Sequence, residues 1–190
     1  MGPRGDDGLG EGGMTGMDGG FSPIAFYEYL ATARKKLLDW VRPLTMEQYT
    51  TEFPFGRKTV RATLVEIPLA EWSYGTRIAG ETMPTSIERH PFNRFFSTDF
   101  AALESAWEEL AARTRRILRE ERDWNRALEW RTTTTPPMHV RTTSGGVAIQ
   151  MMAHEVHHRA QVMAMLRQLG IAAQNLDYSI LMFQRTPIPA

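Results

Sequence analysis

The 190-residue chain contains no cysteine. That excludes disulfides, thiolate metal ligands and a cysteine nucleophile, so any thiol chemistry needs a thiol from outside the protein. Net charge is also missing: 22 Lys and Arg balance 22 Asp and Glu. Such a balance gives no general electrostatic affinity for DNA, RNA or an anionic membrane surface. No run of about 18 apolar residues is available to span a bilayer. The N-terminus lacks the basic-then-apolar order of a secretory signal. The expectation is a cytoplasmic protein with no nucleic-acid and no membrane partner. What remains, 42% hydrophobic and 23% charged residues, suits a globular chain long enough for one domain with a sizeable core.

Glycine is sparse except in Met1–Gly20, which holds nine of the fifteen. That segment has too little apolar surface to offset its ordering entropy, so residues 1–20 are predicted to be a disordered tail. Met14 and Met17 are alternative starts within it. Residues 21–184 read as one domain and 185–190 as a C-terminal tail.

Four long amphipathic segments follow. The first begins at Ser22-Pro23, an N-cap followed by the residue best suited to the first helical position, and ends at Pro43. Its stripe of Ile24, Tyr27, Ala31, Leu38 and Val41 is widened by Phe26, Leu30, Leu37 and Trp40, as in a bundle helix with two neighbours. Thr45-Met46-Glu47-Gln48 has the capping-box form and predicts a short helical turn. The second long helix spans about Thr59–Ile78, with Gly80 just beyond its end. Pro68 inside it predicts a kink. Glu66 lies in that turn beside small residues, Ala62, Ala70 and Ser73. From spacing alone it reads as an exposed or salt-bridged carboxylate. Glu81–Ser97 is a long connection, with His90 as a loop histidine. The third helix, about Thr98–Glu120, has Leu103, Trp107, Leu110 and Ile117 inward. Its arginines are interleaved with glutamates, a solvated face supported by pairs such as Glu109–Arg113. Ala127–Thr143 alternates and turns at Pro136-Pro137, predicting a short two-stranded excursion with His139 exposed on a strand. The apolar Leu176–Phe183 is expected to pack back onto the bundle.

The fourth helix, following Thr143-Ser144-Gly145-Gly146 and stopping at Gly170, carries the chemistry. Three of the five histidines fall within its MMAHEVHHRAQVMAMLRQLG. His154 and His158 are four apart, on one face with Met151, Met165 and Leu169. Two imidazoles on such a face are either buried and hydrogen-bonded or bind something, and at i and i+4 their nitrogens can converge on one metal ion. His157 shares a face with His154 as well, at i and i+3. Arg159 and Gln161 either orient a ligand or close a helix–helix contact, the contact being the plainer role. Met151, Met152, Met163 and Met165 read as core or dimer-interface packing.

HEVHHRAQVMAMLRQLG, followed by Leu176-Asp177, resembles the DinB/YfiT-like family of metal-dependent enzymes. TVRATLVEIPLAEWSY resembles that family's second helix, with its Ser/Thr start at Thr59 and its Glu-Trp pair at Glu71-Trp72. The resemblance covers most of Phe21–Phe183. It implies an all-α fold, a four-helix bundle of DinB/YfiT type, in a homodimer. It also implies three histidines on a divalent metal, zinc or nickel first and manganese or iron next, with His154 and His158 as two of them. By register Glu66 stands where the family has its first histidine. The resemblance thus makes Glu66, His154 and His158 the metal ligands, with His157 and Arg159 as supporting neighbours; the other reading is a vestigial site. Two His and one carboxylate form a competent set. Ala160 replaces a common glycine.

The activity so implied is activation of a low-molecular-weight thiol of bacillithiol type for S-transfer to an electrophilic small molecule. Metal-assisted hydrolysis is the second expectation. A non-catalytic dimeric stress-response bundle is the third.

Overall fold

A computed structural model describes residues 22–132, 134–186 and 188. The predicted N-terminal tail, residues 1–20, lies outside them, as does part of the C-terminal tail.

Four long helices form the bundle: α1 (Pro23–Val41), α3 (Val60–Ile78), α4 (Phe100–Glu120) and α5 (Ser144–Gln168). Two short ones, α2 (Met46–Thr50) and α6 (Tyr178–Met182), lean on it. The fold is all-α apart from one antiparallel hairpin, β1 (Ala127–Arg131) with β2 (His139–Thr143), which sits just before α5.

Local chemistry fixes where each helix starts. Ser22 Oγ accepts from the Ala25 N–H with Pro23 in the first turn. Thr45 and Gln48 complete a reciprocal capping box at α2. Thr59 Oγ1 caps α3 at Ala62. The third long helix is capped by Asp99 rather than starting at Thr98, because the Asp99 carboxylate takes the Ala102 N–H. The last begins before its two glycines, because the Thr143 hydroxyl caps the Gly146 N–H and draws both glycines into the first turn. α3 runs as one helix through Pro68. At the far end of α5, Gly170 takes φ +82° and the Ile171 N–H reaches back to the Leu166 carbonyl.

α3 packs against α5 and α4, and α1 closes the ring from the other side against the same two helices. Leu30, Leu37, Leu64, Leu103 and Leu166 are buried between them, each contributing about 1.5–3 kcal/mol of hydrophobic stabilisation. The four methionines of α5 are all buried, so they serve as core packing. The connection from 81 to 97 does more than join helices. Two 3₁₀ turns, Ile87–Arg89 and Asn93–Phe96, press Phe92, Phe95 and His90 inward. His90 is therefore a loop histidine, as expected, but a buried one. Its Nδ1 accepts the Phe92 N–H and its Nε2 meets the Ser73 hydroxyl at 2.9 Å. The tail packs back as expected: Leu176 is buried, its carbonyl accepts from the Tyr29 hydroxyl, and Tyr178 stacks on Phe26.

Arginines of α4 pair with other segments rather than along their own helix. Arg113 reaches Glu81 at 2.6 Å and Arg115 reaches Glu28 at 3.0 Å. His139 is exposed on its strand, 3.2 Å from Glu129. No helix is long and apolar enough to cross a membrane among the described residues.

The bundle core also holds charge, which hydrophobic patterning did not anticipate. Arg34 on α1 is buried and binds two buried carboxylates, Glu71 of α3 at 2.9 Å and Glu155 of α5 through both oxygens. Glu71 takes three more donors: the Tyr27 hydroxyl, the Trp107 indole and the Thr114 hydroxyl. All four long helices are thereby tied at one point. Burial alone would lower the Arg34 pKa; the Glu155 and Glu71 carboxylates outweigh it and hold it well above its ordinary value.

Candidate metal centre

Glu66, His154 and His158 converge. Each offers one ligand atom, and these atoms lie within 4.8 Å of one another. The α3·α5 pairing brings them together: Glu66 projects from the first half of α3, and the i,i+4 spacing stacks the two imidazoles on the facing side of α5. The rings are 4.4 Å apart by centroid. Ligand atoms around one Zn-sized ion lie at most about 4.2 Å apart, from bond lengths of about 2.0–2.2 Å, so small rotamer changes close the cluster.

The histidines are prepared as ligands. Burial, with the charges of His158, His157 and Arg57 beyond it, pushes His154 down to about 4. Burial also lowers His158, against the opposing pull of the Gln161 bond and Glu66. Both rings are therefore neutral at pH 7, with lone pairs to give. Buried His154 Nδ1 has no hydrogen-bond partner among the described residues. An orphaned buried nitrogen costs free energy unless something binds at the ring, which is what a metal site requires.

Gln161 sets the His158 tautomer. Its Oε1 can only accept, so the 2.8 Å pair with His158 Nδ1 puts the proton on Nδ1 and leaves Nε2 as the free lone pair. The Gln161 amide nitrogen in turn donates to His157 Nε2 at 2.9 Å. His157 is exposed and meets the centre through Gln161 and through its own ring, which stands edge-on to the His158 ring at 4.9 Å. Arg159 is elsewhere. It is buried on the other side of α5, donating to the Tyr29 hydroxyl and lying over that ring. Of the two neighbours at Arg159 and Gln161, the glutamine holds a candidate ligand and the arginine closes a helix–helix contact.

Two residues at the centre escaped the sequence reading. Arg57 Nε lies 3.4 Å from Glu66 Oε2. Glu66 is thus salt-bridged and also faces the histidines. Gly56 takes φ +60°, and a Cβ there would stand 3.1 Å from Gln161 Oε1 and 3.0 Å from Met165 Cε. Only glycine lets this loop lie against the amide that holds His158. Gln161 lies about 105 residues further along the chain, so a loop glycine carries no sign of that approach.

The protein resembles known chains along most of its length. It is 22% identical over 166 residues to Protein DinB of Bacillus subtilis (strain 168), an alignment covering 85% of this chain and 95% of that one. The model of the DinB family matches residues 16–187, and the bundle, its connections and the Glu/His cluster just described all fall inside that span: the chain belongs to the DinB family.

Proposed function

We propose that Glu66, His154 and His158 hold one divalent metal ion, and that the protein is an enzyme that transfers a low-molecular-weight thiol to an electrophilic small molecule. The observation that carries the first half is the convergence of two neutral imidazoles and one carboxylate from two packed helices, with a buried nitrogen left over. Zinc or nickel suits two nitrogens and an oxygen; manganese and iron follow. Three protein ligands leave room for an exogenous one. A divalent ion there supplies Lewis acidity that makes a thiol or a water a stronger nucleophile at neutral pH.

The chain's own residues set the terms. Gln161 orients His158 and fixes which nitrogen it presents. Glu66 brings a negative charge where a third imidazole would bring none, which weakens that Lewis acidity. Arg57, paired with the carboxylate at 3.4 Å, partly offsets it. With no cysteine in the chain, the thiol comes from outside. The choice of thiol transfer over hydrolysis rests on the resemblance of the α5 and α3 motifs. A small-molecule substrate and a homodimeric assembly belong to the same proposal.

Elemental analysis of untagged protein tests the first half. Near one metal per chain in wild type, lost in both Glu66→Ala and His158→Ala, is expected. Metal kept in Glu66→Ala would remove the carboxylate from the site. Loss of a halogenated aromatic electrophile is then followed with and without bacillithiol. Turnover only with thiol is expected. Equal turnover without it would make the protein a hydrolase, and a folded His158→Ala that loses no reaction would make it a non-catalytic bundle.

A further inference from the structure

A second cavity lies apart from the metal centre. It has a volume of about 810 Å³ and opens between the C-terminal half of α3, the connection after it and β1. None of Glu66, His154 and His158 lines it. Ser73, on its wall, is seven residues beyond Glu66, about 10 Å along the helix axis. Its walls are largely apolar, with Leu69, Met83, Ile87, Leu128 and Trp130.

Polar and charged side chains are interspersed among them, and of these Arg77 is half-buried against the apolar wall. Its guanidinium lies 4.8 Å from the centroid of the Trp130 ring and donates once, to the Ser73 carbonyl at 3.0 Å. Its Nε is buried without a partner, and no carboxylate pairs with it among the described residues. A half-buried cation with one carbonyl acceptor and no counter-charge is costly. Its place in the last turn of α3 and its stacking on Trp130 offset part of that cost, but neither is a counter-ion. The acidic side chains around the opening do not fill the role. Glu81 is engaged by Arg113, and Glu129 by Arg141 and His139. Glu88 lines the cavity too and is exposed, as is Arg131.

We propose that this cavity binds a small carboxylic acid with an apolar body, its carboxylate on Arg77 and its body against Trp130 and the aliphatic wall. Arg77 offers a half-buried guanidinium that no carboxylate neutralises, and the exposed Arg131 lines the same cavity. The glutamates at the rim repel a doubly charged anion such as a phosphate monoester. A neutral ligand would leave Arg77 uncompensated.

The test is calorimetric titration of the full chain with phenylacetate and hexanoate, each beside its amide, on protein stripped of metal with EDTA and on zinc-loaded protein. Both carboxylates are expected to bind, and the amides at least about tenfold more weakly. Arg77→Met, which keeps the stem on Trp130, is expected to lose at least about tenfold in carboxylate affinity while retaining the wild-type melting temperature within a few degrees. Equal binding of acid and amide overturns the proposal, and so does failure of either acid to bind below about 10 mM, a free energy of under about 3 kcal/mol. Binding that vanishes with EDTA would place the acid on the metal instead, overturning this site while leaving the metal centre standing. If Arg77→Met fails to fold, the acid-against-amide comparison on wild type decides.

Discussion

Replacing Arg34 by Met tests whether the buried charge cluster behaves as one unit. Arg34 supplies every hydrogen bond recorded for Glu155, through Nε at 3.2 Å and Nη2, whereas Glu71 keeps Tyr27, Trp107 and Thr114 after Arg34 is gone. The variant therefore strands one carboxylate, not two. Breaking a buried ion pair by removing one partner costs about 3–5 kcal/mol. That is a large part of the roughly 5–15 kcal/mol that holds a domain together. Removing the stranded charge as well should reverse this: Arg34→Met/Glu155→Met should recover most of the loss, because an apolar replacement of a buried pair is often neutral or better. Urea unfolding followed by circular dichroism, in EDTA and at fixed protein concentration, measures all three chains without metal or association contributing. A double variant no more stable than Arg34→Met would refute the idea that the uncompensated Glu155 charge is what the arginine removes.

Three further outcomes follow from the same structure. Gln161→Leu should weaken metal affinity by about 10–100-fold while leaving the fold intact, since it frees the His158 tautomer without touching a ligand atom; competition with a chromogenic chelator reads this directly. Gly56→Ala should weaken metal binding as well, through strain at φ +60° and the push on Gln161, and a variant that binds metal as tightly as wild type would remove the loop from the site. His90 is held at about 4 by burial first and by Arg77, below its ordinary 6.5. The unfolded chain therefore takes that proton first as pH falls. The stability His90 allows is complete above pH 6.5 and is lost between 6.5 and 4, about 2 kcal/mol of it by pH 5. His90→Gln should flatten the wild-type pH–stability curve by that amount between pH 7 and 5.

The helix starts were legible because capping is local. Ser22, Thr45 and Thr59 each act within three residues of chain, and the structure shows each hydroxyl doing so. The i,i+4 histidines were legible for the same reason. Glu66 was not. On spacing it is one more carboxylate on a helix, and only the register of a family pattern set it opposite His154 and His158. Arg34 was illegible altogether. It precedes Lys35 and Lys36 in what reads as a solvated basic turn, yet it is buried, because its partners come from positions 37 and 121 residues away. The burial of His90 was illegible in the same way: a connection without periodicity gave no sign that its aromatic residues would pull it under.

The charge cluster and the metal centre meet on α5. Glu155 sits between His154 and His158 in sequence and about 100° around the helix from His154. The face that turns Glu155 towards Arg34 therefore turns the two imidazoles towards α3 and Glu66. Hydrophobic contacts alone would set this rotation poorly, since α5 is apolar over much of its circumference, with Ile149 and Val156 exposed as well as the buried methionines. A directional ion pair sets it, because a bidentate guanidinium tolerates little rotation. The buried arginine thus fixes an angle, at a site where an error of one residue in register would put Ala153 and His157, or Glu155 and Arg159, in front of Glu66 in place of the two ligands.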